Sequence, residues 1–229
     1  MNAGVITAET APPPYVVPHS QEPIRILYRD RDLLVVEKPH LLLSVPGRHP
    51  INHDSLILRL RRRFPGVEAV HRLDLDTSGL MIVPLHREAL AEMSRLFQAR
   101  AVDKTYHAIV WGQLDEDAGS IDLPIARDWE NRPRQKICHK QGKPSLTHFS
   151  VVSRQDNTTV LELKPITGRS HQLRIHLREI GHPILGCDMY AHEAALSAAP
   201  RLLLHASKLA FTHPLTGLPL CVRSRPPFL

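Results

Sequence analysis

Residues 71–83 read HRLDLDTSGLMIV, a polar stretch that runs directly into an apolar one. Thr, Ser and Gly ahead of an apolar run predict a functional loop that emerges beside a β-strand. Asp74 and Asp76 lie two residues apart, and on extended backbone their side chains would share a face. Two carboxylates on one face allow acid/base chemistry or a divalent-metal site. From these residues alone, a turn whose aspartates only bind their own backbone amides explains the pattern equally well.

The chain before this loop predicts a strand pair and a helix. Residues 24–28 and 33–37 are rich in β-forming side chains and flank a charged turn, which favours an antiparallel pair. Asp54 or Ser55 is positioned to cap a helix that ends at Pro65-Gly66. Arg59, Arg62 and Arg63 follow helical spacing on this helix and could hold phosphate, although a solvated helix face is the commoner explanation.

The chain after the loop predicts further strands and two helices. Leu90, Met93 and Phe97 form an apolar stripe on a helix over residues 87–100. Ser170 is expected to cap a second helix that ends near Ile180. Strands are expected over residues 104–111, 147–153, 158–164 and 202–211, with the middle two forming a hairpin. Since strands outnumber helices and few helical crossovers join them, the fold class is α+β around a largely antiparallel, mixed sheet with flanking helices.

The domain organisation follows from proline content and length. Residues 1–23 contain Pro12-Pro13-Pro14 and show little apolar periodicity, which predicts a flexible N-terminal arm. The remaining residues, 24–229, are enough for one sizeable core and are expected to form a single domain.

Composition restricts the classes of protein that this chain can represent. Hydrophobic residues make up 42% and charged residues 23%, which is ordinary for a globular protein. No apolar stretch is long enough to cross a bilayer, and no secretory signal is present, so a cytoplasmic protein is expected. Cys138, Cys187 and Cys221 are widely spaced and without a C-x-x-C pair, which favours reduced thiols over disulfides or a zinc site.

The charge balance points to a polyanionic partner. The formal net charge is +6 and the isoelectric point is near 9.5, and clustered Lys and Arg gain free energy by releasing counterions from phosphate. A solvated basic surface without any nucleic-acid partner explains the same charge, so this observation carries little by itself.

A second polar segment, residues 164–176, reads KPITGRSHQLRIH. On the predicted helix, His171, Arg174 and Arg178 lie on the face opposite to the apolar stripe, and this cationic face at a helix N-terminus suits an anion. His171 and His176 are five residues apart, which rotates the second ring away from the first and argues against a metal site.

These segments together resemble a known family. HRLDLDTSG at 71–79, KTY at 104–106, KPITGRSHQLR at 164–174, GHPILG at 181–186 and LLHA at 203–206 occur in the order found in the RluA family of pseudouridine synthases. The resemblance runs from about residue 24 to residue 215. It implies the pseudouridine synthase fold with a central RNA-binding cleft and, as in the shorter members, no S4-type RNA-binding domain.

The resemblance also implies roles for individual residues. Asp74 corresponds to the family's essential catalytic aspartate, Tyr106 to the tyrosine that packs on the target base, and Arg174 to the arginine that pairs with the aspartate. Asp76 stands at a variable position and loses its claim to catalysis. The implied RNA-binding residues are His71, Arg72, Arg169, Leu203 and Leu204; Arg72 fills the space left by the flipped nucleotide, and one of the two leucines floors the pocket.

The implied activity is isomerisation of specific uridines to pseudouridine by base flipping and an aspartate-dependent mechanism, with no cofactor and no metal. The implied substrates are uridine 32 of tRNA anticodon stem-loops and uridine 746 of 23S rRNA, bound by a monomer. The alternative is an RNA-binding protein that keeps the scaffold without catalysis. A metal-dependent hydrolase ranks last, because the sequence offers no suitable cluster of ligands.

One block departs from the family pattern. Relatives commonly show G-D-x-x-Y-G, whereas this chain has Gly186-Cys187-Asp188-Met189-Tyr190-Ala191, with a cysteine at the usual aspartate position. Whether Asp188 takes over from that aspartate is left open by the sequence.

Overall fold

The computed structural model describes residues 16–229. The predicted flexible arm, residues 1–23, therefore falls mostly outside the described residues. Within 16–23, Val17 N donates to Asn52 Oδ1 at 2.9 Å, and Ser20 is buried with its carbonyl accepting from Arg59 at 2.6 Å. This stretch has no helix or strand but lies against the helix that follows it. The division into an arm and one domain stays a prediction.

Strands dominate the described part of the chain. The eleven strands are β1 Arg25–Arg29, β2 Leu33–Lys38, β3 Ser78–Pro84, β4 Asp103–Trp111, β5 Ala118–Asp122, β6 Ile125–Arg127, β7 Gln135–Ile137, β8 Leu146–Gln155, β9 Thr158–Pro165, β10 Leu204–Thr212 and β11 Pro219–Arg223. The four α-helices are α1 Leu56–Arg61, α2 Arg87–Gln98, α3 Gln172–Glu179 and α4 Glu193–Ser197, and Pro50–Asn52 forms a 3₁₀ turn. No helix within residues 16–229 is long and apolar enough to cross a membrane.

Most of the strands join one mixed sheet in the order β1-β2-β3-β10-β4-β9-β8-β5, and β11 pairs with β10. Only β3 and β10 pair in parallel; every other pair in the sheet is antiparallel. The short strands β6 and β7 form a separate hairpin. The predicted α+β class with a largely antiparallel, mixed sheet is confirmed.

Strand β10 joins the two halves of the sheet. Along one edge it pairs first with β3, through His205 with Ser78 and Ala206 with Gly79, and then with β11. Along the other edge it pairs with β4. The loop that precedes β3 is therefore held at the middle of the sheet, where the N-terminal and C-terminal halves meet.

Helices α1 and α2 cover opposite faces of β2 and β3. Because side chains alternate along a strand, Leu34, Val36, Met81 and Val83 pack on the side of α1, while the residues between them pack on the side of α2. Both strands are nearly inaccessible to solvent, which explains their continuous apolar sequence. A third cluster packs α3 against β4, β9 and β10.

Several boundaries differ from the sequence-based expectation. Helix α1 ends at Arg61, with Arg62 as its C-cap, because the chain turns early to place Phe64 and Val67 in the core. Arg59 does not face solvent freely; its guanidinium binds Asp54 at 2.6 and 2.8 Å. Strands β5, β6, β7 and β11 and helix α4 were not predicted, since they are short and lack a strong apolar period.

Candidate active site

A cleft of about 890 Å³ opens beside the loop that precedes β3. Its walls come from this loop, from β4, and from the segment between β9 and α3. Seven of the eight predicted site residues line it: His71, Arg72, Asp74, Tyr106, Arg169, Arg174 and Leu204. Leu203, the eighth, does not; its backbone pairs with Leu185 and Ile109 instead. The structure thus places Leu204, rather than its neighbour, at the cleft.

His71 fastens the loop through one of its ring nitrogens, Nε2. Its Nε2 accepts the backbone N–H of Ile82 at 2.9 Å, and its ring stacks on Phe97 with 4.7 Å between centroids. Burial, helped by the charge of Lys104, lowers the pKa of His71 to about 3. The imidazole is therefore neutral at physiological pH and fixes the start of the loop at residues 71–77 to β3.

Two further contacts hold the middle of the loop. Ser44 Oγ donates to the carbonyl of Leu73 at 2.7 Å and accepts from its N–H at 3.1 Å. Lys38, which is fully buried, donates to the carbonyls of Pro39, Leu42 and Leu75 at 2.8, 2.7 and 3.1 Å. Burial lowers the pKa of Lys38 to about 7, although nearby acids oppose that shift. These contacts pre-organise the backbone on both sides of Asp74.

Asp74 reaches the cleft with open carboxylate oxygens. Its side chain is 28% exposed, and within residues 16–229 no donor hydrogen-bonds either oxygen. The nearest cations are Arg174, whose Nη1 lies 3.9 Å from Oδ2, and the ring of His171, whose Nε2 lies 4.0 Å from Oδ1. An anionic oxygen so placed can attack a carbon, take a proton or stabilise positive charge.

Arg174 lies beneath the cleft at the centre of an acidic group. Its side chain is 1% exposed; Nη1 lies 3.6 Å from Asp76 and makes no hydrogen bond with any residue from 16 to 229, whereas Nη2 binds Asp188 at 2.5 Å. Its Nε donates to Cys187 Sγ at 3.3 Å. The helical pattern predicted that Arg174 lies on a cationic face suited to an anion; instead helix α3 is buried on nearly all sides, and Arg174 pairs with carboxylates of the protein itself.

The contacts of Arg174 show how residues 186–191 are arranged where Cys187 stands at the usual aspartate position. Cys187 is fully buried and accepts one hydrogen bond from the guanidinium, and the carboxylate that pairs with it belongs to the next residue, Asp188. Burial raises the pKa of Asp76 despite the nearby guanidinium. Since arginine remains charged at any physiological pH, it compensates part of this buried negative charge.

Tyr106 stands on β4 in the wall of the cleft. Among the described residues nothing hydrogen-bonds its hydroxyl. Burial and the charge of Asp74 raise the pKa of Tyr106 above its ordinary value. The phenol is therefore protonated at neutral pH and presents an aromatic surface beside the carboxylate.

Arg72 and Arg169 differ in how many contacts their guanidinium groups make with the rest of the protein. Arg72 is exposed at the cleft and makes no ion pair or hydrogen bond with any residue from 16 to 229. Arg169 is half-buried and donates weakly to the carbonyl of Pro144 at 3.3 and 3.4 Å. Both guanidiniums are available to phosphate at the rim.

Helix α3 does not begin as the sequence predicted. Ser170 is not its cap; the helix starts at Gln172, and His171 takes the N-cap position in the left-handed region, with φ 56°. The Gln172 amide explains the difference: its oxygen accepts from Thr167 Oγ1 and Arg169 N, and its nitrogen donates to Leu146 O and Thr147 Oγ1. These bonds pin the loop before the helix and turn His171 toward Asp74.

A metal has one candidate position among residues 16–229, the group Asp30, Asp32 and His213. His213 Nδ1 accepts the backbone N–H groups of Leu215 and Thr216 at 3.3 and 3.2 Å, so the proton of the neutral ring lies on Nε2. That nitrogen, 3.0 Å from Asp30, then has no free lone pair for a metal. The group joins turns of the sheet and lines no part of the cleft.

Sequence reasoning missed three residues of the site. Lys38 was not singled out from the sequence, and Tyr190 and His171 were given no role at Asp74. The Lys-Pro pair at 38–39 and the departure from the family pattern at 186–191 can be seen in the sequence, but only the fold brings these residues to the loop.

Comparison with known proteins agrees with this geometry. A family model described as RNA pseudouridylate synthase matches residues 32–179. The Dual-specificity RNA pseudouridine synthase RluA of Yersinia pestis is 52% identical over 196 residues, covering 85% of this chain and 95% of that protein. The protein of the same name from Escherichia coli (strain K12) is 51% identical over 199 residues, covering 86% and 91%.

A solved structure, Human RNA Pseudouridylate Synthase Domain Containing 1, matches with a TM-score of 0.78 and 35% identity, covering 93% of this chain and 87% of that one. The family model spans more than half of the chain, and each of these relatives covers most of it. The chain therefore belongs to the RluA family of RNA pseudouridine synthases, which are isomerases that act on RNA.

Proposed function

We propose that this chain converts uridine 32 of tRNA anticodon stem-loops and uridine 746 of 23S rRNA to pseudouridine, with Asp74 as the catalytic carboxylate. The observation that carries the proposal is the meeting of Asp74, Tyr106 and Arg174 at one cleft from three separate elements. The choice of RNAs is supported by the name "dual-specificity" of relatives that are about half identical to this chain.

The reaction breaks the bond from N1 of the uracil to C1′ of the ribose, rotates the base, and bonds C5 to the same carbon. Since a stacked base is out of reach, the nucleotide must flip into the cleft at a cost of about a few kcal/mol. Arg72, exposed and unpaired among the described residues, fills the gap or holds phosphate. Leu204 and the ring of Tyr106 supply apolar surface for the base.

Asp74 acts at the sugar carbon. Its unbonded oxygens can attack C1′ as a nucleophile, abstract a sugar proton, or stabilise positive charge at C1′. Arg174, buried and always charged, lies 3.9 Å from one oxygen of this carboxylate and holds a positive charge beside it.

Tyr106 is assigned a stacking role. The closing step removes the proton from C5, and a tyrosinate would be a competent base. Burial beside Asp74 instead raises the pKa of Tyr106, which keeps the hydroxyl protonated and makes it a poor base. The ring face, by contrast, needs no ionisation to hold a pyrimidine.

We further propose that the protein acts as a monomer in the cytoplasm, which is consistent with Asp74, Tyr106 and Arg174 meeting within a single chain. The net charge of +6 favours association with both RNAs.

The test is tritium release from RNA carrying uridine tritiated at C5, with the anticodon stem-loop and a 23S rRNA fragment assayed separately. We expect release by the wild type, none by Asp74→Asn, and reduced but measurable release by the matched variant Asp76→Asn, whose carboxylate does not line the cleft. A uridine-to-cytidine change at position 32 or 746 should remove release from the corresponding RNA.

Each outcome has a distinct meaning. Release by Asp74→Asn equal to that of the wild type would remove the catalytic assignment. Binding of both RNAs without release by the wild type would favour the alternative, an RNA-binding protein on the same scaffold without catalysis.

A further inference from the structure

Among residues 16–229, His171 is the one histidine whose ring faces Asp74 from the far wall of the cleft. Its Nε2 lies 4.0 Å from Asp74 Oδ1, the oxygen opposite the one nearest Arg174. The His171 side chain is 12% exposed and lines the cleft, so it is shielded from bulk water yet open to a bound nucleotide.

The protonation of this ring is set by a chain of hydrogen bonds. The backbone N–H of Gln135, on β7, can only donate, and it donates to the hydroxyl oxygen of Tyr190 at 2.8 Å. Among residues 16–229 the one hydrogen-bond acceptor beside the Tyr190 hydroxyl proton is His171 Nδ1, 2.7 Å away, and this assigns the donor role to Tyr190. Nδ1 accepts, so the proton of the neutral imidazole lies on Nε2 and points toward Asp74.

The charges around the ring are consistent with a neutral donor. Burial lowers the pKa of His171, with Arg174 acting in the same direction and Asp74 and Asp188 opposing it. Tyr190 packs edge-on against the ring with centroids 5.6 Å apart, and it is buried. The ring therefore cannot rotate without breaking its bond to Tyr190.

We propose that His171 is a positioning residue for Asp74, which donates Nε2–H to Oδ1 once RNA closes the cleft and so fixes the carboxylate for its reaction at C1′. The 4.0 Å gap is of the kind that tightens when substrate binds. Arg174 and His171 then approach the two oxygens of Asp74 from different sides. This inference rests on the proposed function.

Two substitutions at His171 separate its contact with Tyr190 from its contact with Asp74. At φ 56° asparagine is among the best tolerated residues, so His171→Asn should fold at least as well as the wild type. Its short amide replaces Nδ1 and reaches Tyr190 but not Asp74. His171→Gln places a donor near the position of Nε2 instead.

Steady-state tritium release should separate positioning from structure. For His171→Asn we expect kcat to fall about 10- to 100-fold, the effect of losing a hydrogen bond to a charged group. The KM for RNA and the melting temperature should stay within about twofold and about 2 °C of the wild type. His171→Gln should recover part of the lost kcat, and Tyr190→Phe should lower kcat by freeing the ring.

Nitrogen-15 NMR of histidine-labelled protein gives a second readout that does not depend on activity. The His171 signals, assigned by their loss in His171→Asn, should show the tautomer with the proton on Nε2, and Tyr190→Phe should shift the balance toward Nδ1. A ring protonated on Nδ1 in the wild type would overturn the inference.

Two kinetic results would also overturn it: equal kcat for the wild type and His171→Asn, or a loss confined to KM. If the wild type releases no tritium from either RNA, the proposed function fails and this inference fails with it. If the wild type and His171→Asn are equally active, the proposed function stands and only the role of His171 is removed.

Discussion

Replacing Gly79 by alanine should destabilise the protein at the junction between the two halves of the sheet. Gly79 has φ +116° and pairs with Ala206 where β3 meets β10 in parallel. A Cβ at this position would lie 2.3 Å from the carbonyl oxygen and 2.5 Å from the nitrogen of Ala206, whereas ordinary contact begins at 3.4 Å. Both atoms belong to backbone, so the strands must move apart by about 1 Å to admit the methyl group.

The expected cost follows from two effects. An alanine at a positive φ costs about 1–2 kcal/mol. Opening the strand pair removes hydrogen bonds that contribute about 1 kcal/mol each and exposes buried side chains beside them. The sum is about 4 kcal/mol, which for a chain of this length lowers the melting temperature by about 10 °C.

Gly217→Ala is the matched control. Gly217 also has a positive φ, +71°, but a Cβ there would meet nothing within 4 Å. Only the conformational cost applies, so its melting temperature should fall by about 4 °C. Thermal unfolding followed by circular dichroism measures both. Equal losses in the two variants would refute the steric argument, because the conformational cost alone would then account for Gly79.

The remaining predictions concern the cleft and the buried histidines. Tyr106→Phe should keep most of kcat, whereas Tyr106→Ala should lose about 10-fold or more with the stacked base, and equal losses would restore a role for the hydroxyl. Arg72→Ala should weaken RNA binding about 10-fold and lower its salt dependence by one phosphate contact, with no change in melting temperature; unchanged binding in a filter or anisotropy assay would count against it. Burial lowers the pKa of His205 to about 4, against about 6.5 in the unfolded chain. On acidification the unfolded chain therefore binds a proton first. The stability that His205 contributes is complete above pH 6.5 and declines toward pH 4. From pH 7 to pH 5 this group should cost about 2 kcal/mol in urea unfolding, and His205→Gln should show a correspondingly smaller loss.

The sequence predicts the parts of this fold that depend on local periodicity. Strands β2 and β9 and helix α2 were predicted within one or two residues, because their apolar patterns have a clear period and turn residues bound them. Short strands such as β6 and β7 have no such pattern. Their existence depends on pairing with each other and on packing of β7 against α3, which no local signal encodes.

In the site, too, some features could be predicted from the sequence and others depend on tertiary contacts. The resemblance predicted a loop at residues 71–79 that presents Asp74 and a pairing of Arg174 with Asp74, and the two side chains lie 3.9 Å apart. What the sequence could not show is that Arg174 makes its hydrogen bonds to Asp188 and Cys187, or that a left-handed residue, His171, starts α3. Helical periodicity assumes a regular start, and the side chain of Gln172 overrides it through four contacts to distant backbone and hydroxyl groups.

The parallel contact between β3 and β10 also sets the order in which the molecule can be made. Ser78 and His205, which are hydrogen-bonded through their side chains at 2.9 Å, are separated by 127 positions in the chain. A nascent polypeptide can form the β1–β2–β3 unit early, but the strand that locks the catalytic loop against the rest of the sheet is synthesised near the end. High contact order of this kind slows folding, so the last step should be closure around β10. Until β10 pairs with β3 and β4, the loop that carries Asp74 is not joined to the other half of the sheet, so we expect the cleft to form only at this last step.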